Sequence, residues 1–182
     1  MKTTLSLILG LMFFSGVMAQ TTPPSAQSVL DEALAVAKVE NKNVCIMFHA
    51  SWCGWCKRMD SIMNMPVNKP YFEANWVIRH LVVAENKPDL KKNENPGGME
   101  LLVKYATVYQ GIPYWLVFNP KGQLLFDSKM PAKDKTGMDI RTNTGCPAAA
   151  DEVEYFEYVM KHTTKLTAEE ISKIGATFLL KR

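Results

Sequence analysis

The sequence predicts an α/β fold with a mixed central sheet and helices on both faces. Three observations predict it. Short apolar runs with strand character, at 44–49, 76–84 and 114–118, alternate with stretches of helical periodicity. A helix between two such strands implies a parallel crossover. The turn Asn119-Pro120-Lys121-Gly122 instead joins two runs as an antiparallel hairpin. A sheet with both kinds of pairing has two faces for helices to cover.

The elements follow in order. Pro23-Pro24 belongs to an extended lead-in, and Ser28 is the expected N-cap of a helix from Val29 to Glu40. Leu30, Ala33, Leu34 and Ala37 form its apolar stripe. Asn41-Lys42-Asn43 ends it, and Val44 to His49 reads as a buried strand. A helix follows from Lys57 to Met65, interrupted by Pro66 and Pro70, with one more turn at Tyr71 to Asn75. Trp76 to Ala84 is the next strand, with Val77, Leu81, Val82 and Val83 as core candidates. The polar stretch from Glu85 to Asn95 is expected to be a solvated loop.

Pro96-Gly97-Gly98 opens a helix from Met99 to about Tyr109 that carries Leu101, Leu102, Tyr105 and Val108. Gly111-Ile112-Pro113 leads into the strand Tyr114 to Phe118, and Gln123 to Asp127 returns as its hairpin partner. Ser128 to Pro147 is polar and lacks periodicity. Asp151 to His162 reads as a helix, with Val153, Phe156, Val159 and Met160 on one face. Thr167 and Glu170 form a capping box for a last helix, whose apolar face (Ile171, Ile174, Phe178, Leu179) is expected to pack on the chain's own core.

The first residues read as a leader. Lys2 supplies a positive charge, Leu5 to Val17 is apolar, and Val17-Met18-Ala19 fits a small-x-small cleavage signal. Residues 1–19 are therefore expected to be a signal peptide and 20–182 a single domain beginning at Gln20. The apolar run falls short of the ~20 residues of a membrane span, so the mature chain is expected to have none. No cysteine follows the cut, so a lipoprotein anchor is not indicated. The formal net charge of +3 falls to +2 without Lys2, which argues against nucleic acid or an anionic surface as partner. All four cysteines lie in the mature part and would meet oxidising surroundings, periplasmic or secreted.

The chemistry concentrates in Trp52-Cys53-Gly54-Trp55-Cys56-Lys57. Two cysteines two residues apart, after a strand and at a helix start, make a dithiol redox site. Thiolate is the nucleophile in thiol–disulfide exchange, and the positive end of a helix favours it. Lys57 adds a nearby cation. The spacing sets the two sulfurs one helical turn apart, close enough to bond. Two other readings of a CxxC stand beside this one. As half of a zinc site it needs two more ligands; Cys45 and His49 are nearest, but a strand and a helix start form a poor tetrahedral cage. As a structural disulfide it closes too short a loop to stabilise much. No metal and no cofactor is expected beyond the disulfide itself.

The run from Phe48 to Lys57, Lys104-Tyr105 before Gly111-Ile112-Pro113, and the Asn119 to Gly122 turn together resemble the thioredoxin superfamily, over roughly Val29 to His162. The site is most similar to exported members with a WCGWCK sequence. The resemblance implies a thioredoxin-like fold, with residues 128–147 as an insertion before the last family helix and an extra C-terminal helix. It implies that Cys53 is the nucleophile, that Cys56 resolves the mixed disulfide, and that Pro113 is cis and faces the dithiol. It further implies a substrate groove flanked by Trp52, Gly54, Trp55, Ile112, Pro113 and Gly145. Trp52, Trp55, Tyr114 and Trp115 are candidates for apolar contact with an extended chain; the alternative is that at least half of these four are core. Substrates would be protein thiols and disulfides, with a separate, unidentified redox partner. The site is more similar to reducing than to oxidising members. A binding module of this fold with little turnover is the alternative.

Two departures from the family pattern matter. The family's buried aspartate, six residues before the first cysteine, is Met47 here, and His49 lies on the same strand face by the period of two. His49 is therefore a candidate acid–base group, with a core histidine bonded to backbone as the alternative, and Lys57 is a candidate tuning group. The 128–147 insertion falls at the active-site end of the sheet. The remaining cysteines are expected to stay unpaired: Cys45 begins its strand, at the end away from the dithiol, while Cys146 sits at the active-site rim. Each strand residue advances ~3.3 Å and a disulfide spans at most about 7 Å between Cα atoms.

Overall fold

The computed structural model describes residues 22–180. The leader and its cleavage point before Gln20 lie outside these residues.

Helix α1 (Ala26–Glu40) starts earlier than expected. Ser25, in extended conformation, is its N-cap and accepts from the Ser28 N–H at 3.1 Å, so Ser28 belongs to the first turn. Asn41 ends it in the left-handed region, at φ 52°. Strands β1 (Asn43–His49) and β2 (Trp76–Val82) pair in parallel, across helices α2 (Gly54–Met63) and α3 (Lys69–Asn75). Helix α4 (Gly98–Ala106) is shorter than expected and leaves Val108 exposed. Strand β3 (Tyr114–Phe118) runs antiparallel to β1 on one side and to β4 (Leu124–Asp127) on the other. The order in this sheet is β2-β1-β3-β4.

The period of two along the central strands builds two cores. Val44, Ile46 and Phe48 of β1, with Tyr114, Leu116 and Phe118 of β3, join Leu30, Ala33, Ala37 and Leu102 from α1 and α4. The alternate residues Cys45, Met47, Trp115 and Val117 face the other layer, built from α2, α3, α5 (Ala150–Thr163) and α6 (Ala168–Leu180). The capping box of the last helix forms as read: Thr167 N–H donates to Glu170 Oε2 at 2.8 Å, and Glu170 N–H donates to Thr167 Oγ1 at 3.3 Å.

Two loop expectations are corrected. The stretch from Glu85 to Asn95 is solvated only in its middle, and both of its ends are buried. Asn95 extends the edge of β2, with its side chain accepting from Val82 N–H at 2.7 Å and its N–H donating to Val82 O at 3.0 Å. The 128–147 stretch is mostly an antiparallel hairpin, β5 (Lys129–Lys133) and β6 (Asp139–Asn143), which forms its own sheet. Asp134 Oδ1 organises its turn, accepting from Thr136 N–H and Met138 N–H, with Gly137 at φ 84°.

Candidate active site

Cys53 stands where β1 has ended and α2 begins. It is the N-cap of α2, and its Sγ accepts from the Cys56 N–H at 3.1 Å. This geometry favours negative charge on sulfur, because the N–H groups of the first turn converge on it. Cys53 and Cys56 form a disulfide with Cα atoms 5.3 Å apart, and both are buried. Cys53 Sγ lies 3.6 Å from the carbonyl oxygen of Ile112. The Ile112–Pro113 peptide bond is cis.

Gly145 closes the far side. Its φ is +56°, and a Cβ built there would stand 3.2 Å from the Pro113 carbonyl oxygen, so glycine permits both the backbone shape and the approach. A groove of about 630 Å³ runs between these parts, lined by Trp55, Ile112, Pro113, Asn143, Gly145 and Cys146 among others. Trp55 is 55% exposed, with the Arg58 guanidinium 5.4 Å from its ring centre. Trp52 is 47% exposed and its indole N–H donates to Ala84 O at 2.8 Å. Gly54 is open, with no atom near a built Cβ. Of the four candidate contact aromatics, Tyr114 and Trp115 are fully buried, because β3 is an inner strand with helices over both faces, so half of the four are core. Trp115 contributes from below, donating from its indole N–H to Gly145 O at 3.0 Å.

Residues that the sequence did not single out hold this frame. Glu85 is 3% exposed and accepts from both the Ser51 N–H and hydroxyl at 2.7 Å, fixing the approach to Cys53. Asn143, at the end of β6, donates to Pro113 O at 3.1 Å and to Gly111 O at 3.3 Å. Gln110 continues the join, donating to Arg141 O and accepting from Asn143 N–H. None of these contacts has a local sequence signature, because the partners lie 30 or more residues apart.

Behind the disulfide is a second cleft of about 340 Å³, where His49, Cys56, Lys57, Asp60 and His80 meet. The His49 and His80 rings pack edge to face at 5.3 Å. Burial lowers the pKa of His49, helped by His80 and opposed by Asp60 and Glu85. Lys57 is exposed at the mouth of this cleft. Cys45 and Cys146 are both free and buried. Burial pushes the Cys45 thiol up to about 12. Burial also raises the Cys146 thiol, but Arg58 Nη1, donating to its sulfur at 3.0 Å, opposes the shift. Among the described residues, no group of three or more His, Cys, Asp or Glu is placed to hold a metal ion.

The sequence model of a family described as thioredoxin-like matches residues 25–120, just over half of the chain. The chain belongs to this thioredoxin-like family. Similar solved structures include a disulphide isomerase from Xylella fastidiosa Temecula1, 21% identical, covering 56% of this chain and 72% of that one, with a TM-score of 0.45. A DsbH oxidoreductase is 18% identical over 88% of this chain and 95% of its own, with a TM-score of 0.43. The reduced DsbD C-terminal domain of Neisseria meningitidis is 24% identical over 57% and 83%, with a TM-score of 0.39. A comparison with curated proteins finds no match. The fold assignment rests on the family match and on the strand order. A thioredoxin-like chain with a CxxC disulfide is equipped for thiol–disulfide exchange in general.

Proposed function

We propose that this protein is an exported thiol–disulfide oxidoreductase that reduces disulfides in protein substrates. The observation that carries the reading is the Cys53–Cys56 disulfide at the start of α2, beside the groove of Trp55, Ile112, Pro113 and Gly145. In the cycle, the Cys53 thiolate attacks a substrate sulfur and one substrate thiolate leaves. Cys56 then attacks Cys53 Sγ, the mixed disulfide breaks, and the second substrate sulfur departs with its electron pair. The extended substrate chain lies along Ile112 and Gly145, using backbone hydrogen bonds of the strand-addition type, with Trp52 and Trp55 as exposed apolar contacts. His49 and Lys57 are the proposed acid–base and tuning groups.

Residues 20–182 act as one domain after a leader of residues 1–19 is removed, in the periplasm or outside the cell, where a separate redox protein restores the dithiol. No helix among the described residues is long and apolar enough to cross a membrane.

Reduction of insulin disulfides by the purified protein tests the activity. Wild type should turn over and Cys53→Ser should not; equal inactivity of both would favour a binding module of the same fold. The potential of the pair decides direction: a value near about −270 mV fits a reductase, one near about −120 mV an oxidant. The intact mass of protein recovered from the exported fraction should begin at Gln20.

A further inference from the structure

We propose that His49, His80 and Asp60 form a proton relay for Cys56, with His49 as the base. This rests on the reading of Cys53 as attacking thiol and Cys56 as resolving thiol.

The need arises from burial. Cys56 is 5% exposed, and a buried thiol ionises reluctantly. It must nevertheless lose its proton to attack Cys53 Sγ. The titratable side chains that line its cleft are His49 from β1, His80 from β2, and Lys57 and Asp60 from α2. Of these residue types, imidazole is the one suited to accept a thiol proton near neutral pH. The fold delivers two. Parallel pairing sets His80 beside Met47, and His49 follows two residues on, so both rings reach one cleft and pack edge to face. Asp60 Oδ1 lies 3.8 Å from His80 Nε2 and is itself fixed by the Asn64 side-chain amide at 3.0 Å.

The electrostatics suit one proton shared by the pair. Burial, joined by His80 whenever it is protonated, holds His49 neutral and ready to accept, while Asp60 and the Glu85 carboxylate favour its charged form once a proton arrives. Burial likewise lowers His80, and Asp60 opposes it, although 37% of the His80 side chain is exposed. That exposure gives the proton a way out. A cleft of this volume admits water, so transfer can pass directly or through a bridging molecule. In the step, Cys56 Sγ–H gives its proton to His49 and its sulfur bonds to Cys53 Sγ. The Cys53–substrate bond breaks, and its electron pair leaves on the substrate sulfur. The imidazolium then returns its proton to that thiolate or passes it by His80 to solvent. His49 is the catalytic residue here, and His80 and Asp60 are positioning residues.

The test is stopped-flow reaction of the reduced full chain with substoichiometric dithiobis(nitrobenzoate). Attack by Cys53 releases the first coloured thiolate, and resolution by Cys56 releases the second. Wild type should show a second phase that rises with pH through an inflection below about 6.5 and is flat by neutrality. His49→Ala should lose that plateau, keep rising toward ordinary thiol ionisation, and resolve at least about 100-fold more slowly at pH 7. The exposed partners give a readout that a purely structural role would not move. Asp60→Asn should shift the inflection down, and His80→Gln should shift it up. An unchanged second phase in His49→Ala, or an inflection that stays put in both positioning variants, would overturn the relay. Loss of the first phase in wild type would instead remove Cys53 as nucleophile, and the relay with it.

Discussion

The side-chain amide of Asn143 donates to the carbonyl of Pro113 at 3.1 Å, tying the β5–β6 hairpin to the cis-proline loop. The same side chain accepts from Ser128 Oγ at 2.6 Å and from Gly145 N–H at 3.1 Å, so one residue joins two walls of the groove to the buried link between β4 and β5.

Asn143→Ala should therefore loosen the groove without disturbing the disulfide. The bonds lost are neutral and partly buried, each worth about 1 kcal/mol net, with some partners recovering water. A loss of about 2 kcal/mol in stability is expected, read as a lower denaturant midpoint at unchanged slope. Insulin reduction should lose kcat/KM mainly through KM, because the attacking sulfur keeps its helix cap. An unchanged KM would argue that the hairpin does not shape the groove.

The contrast between this hairpin and β1 explains what could be read in the sequence. β1 was legible because five consecutive apolar residues, Val44 to Phe48, shortly precede the CxxC, and both features are local. The hairpin was not, since each strand is only five residues long, its one apolar face holds just Met130, Ala132 and Ile140, and it depends on main-chain pairing and the Asp134 turn. The disulfide and the Gly145–Pro113 approach lie where the motifs pointed. Glu85, Asn143 and His80 reach the site only through pairing across the fold, and a single residue in a polar stretch carries no mark of that. Which of the four aromatics are core was open for a related reason: Tyr114 and Trp115 directly follow Pro113, yet belong to an inner strand.

Glu85→Ala should destabilise the loop before Cys53. A buried carboxylate accepts two bonds from Ser51, and bonds to charged groups contribute about 1.5–3 kcal/mol each. Ser51 is exposed, so water can replace part of this. A net loss of about 2 kcal/mol is expected in chemical denaturation. Hydrogen exchange at the Ser51 amide should rise well above the global unfolding rate, and an amide as protected as in wild type would count against this anchoring.

The two unpaired cysteines should differ in reactivity from the active-site pair. With its thiol pushed up to about 12, native Cys45 should resist iodoacetamide at pH 8. After mild reduction, Cys53 should label first. Cys146 should label slowly, and faster in a variant that opens the groove, because Arg58 already favours its thiolate. Peptide mapping of the non-reduced protein should find Cys53–Cys56 linked and no Cys45–Cys146 peptide; the latter would contradict the free thiols at both positions.

Acid should weaken the fold through the histidine pair. His49 and His80 both have pKa values held below the ordinary 6.5, with burial as the leading cause. In the unfolded chain both return toward 6.5 and bind protons first as pH falls. The unfolded state then carries more protons than the folded one, so stability is fully present above about pH 6.5 and is eroded below it, until the folded histidines titrate as well. Carboxylates contribute their own acid dependence at lower pH, so the contribution of this pair must be isolated. In a His49→Gln, His80→Gln double variant, the decline in denaturant midpoint between about pH 6.5 and 5 should be shallower than in wild type. Parallel declines would mean that neither ring is held neutral by its surroundings, which would also remove the basis for His49 as a base near neutral pH.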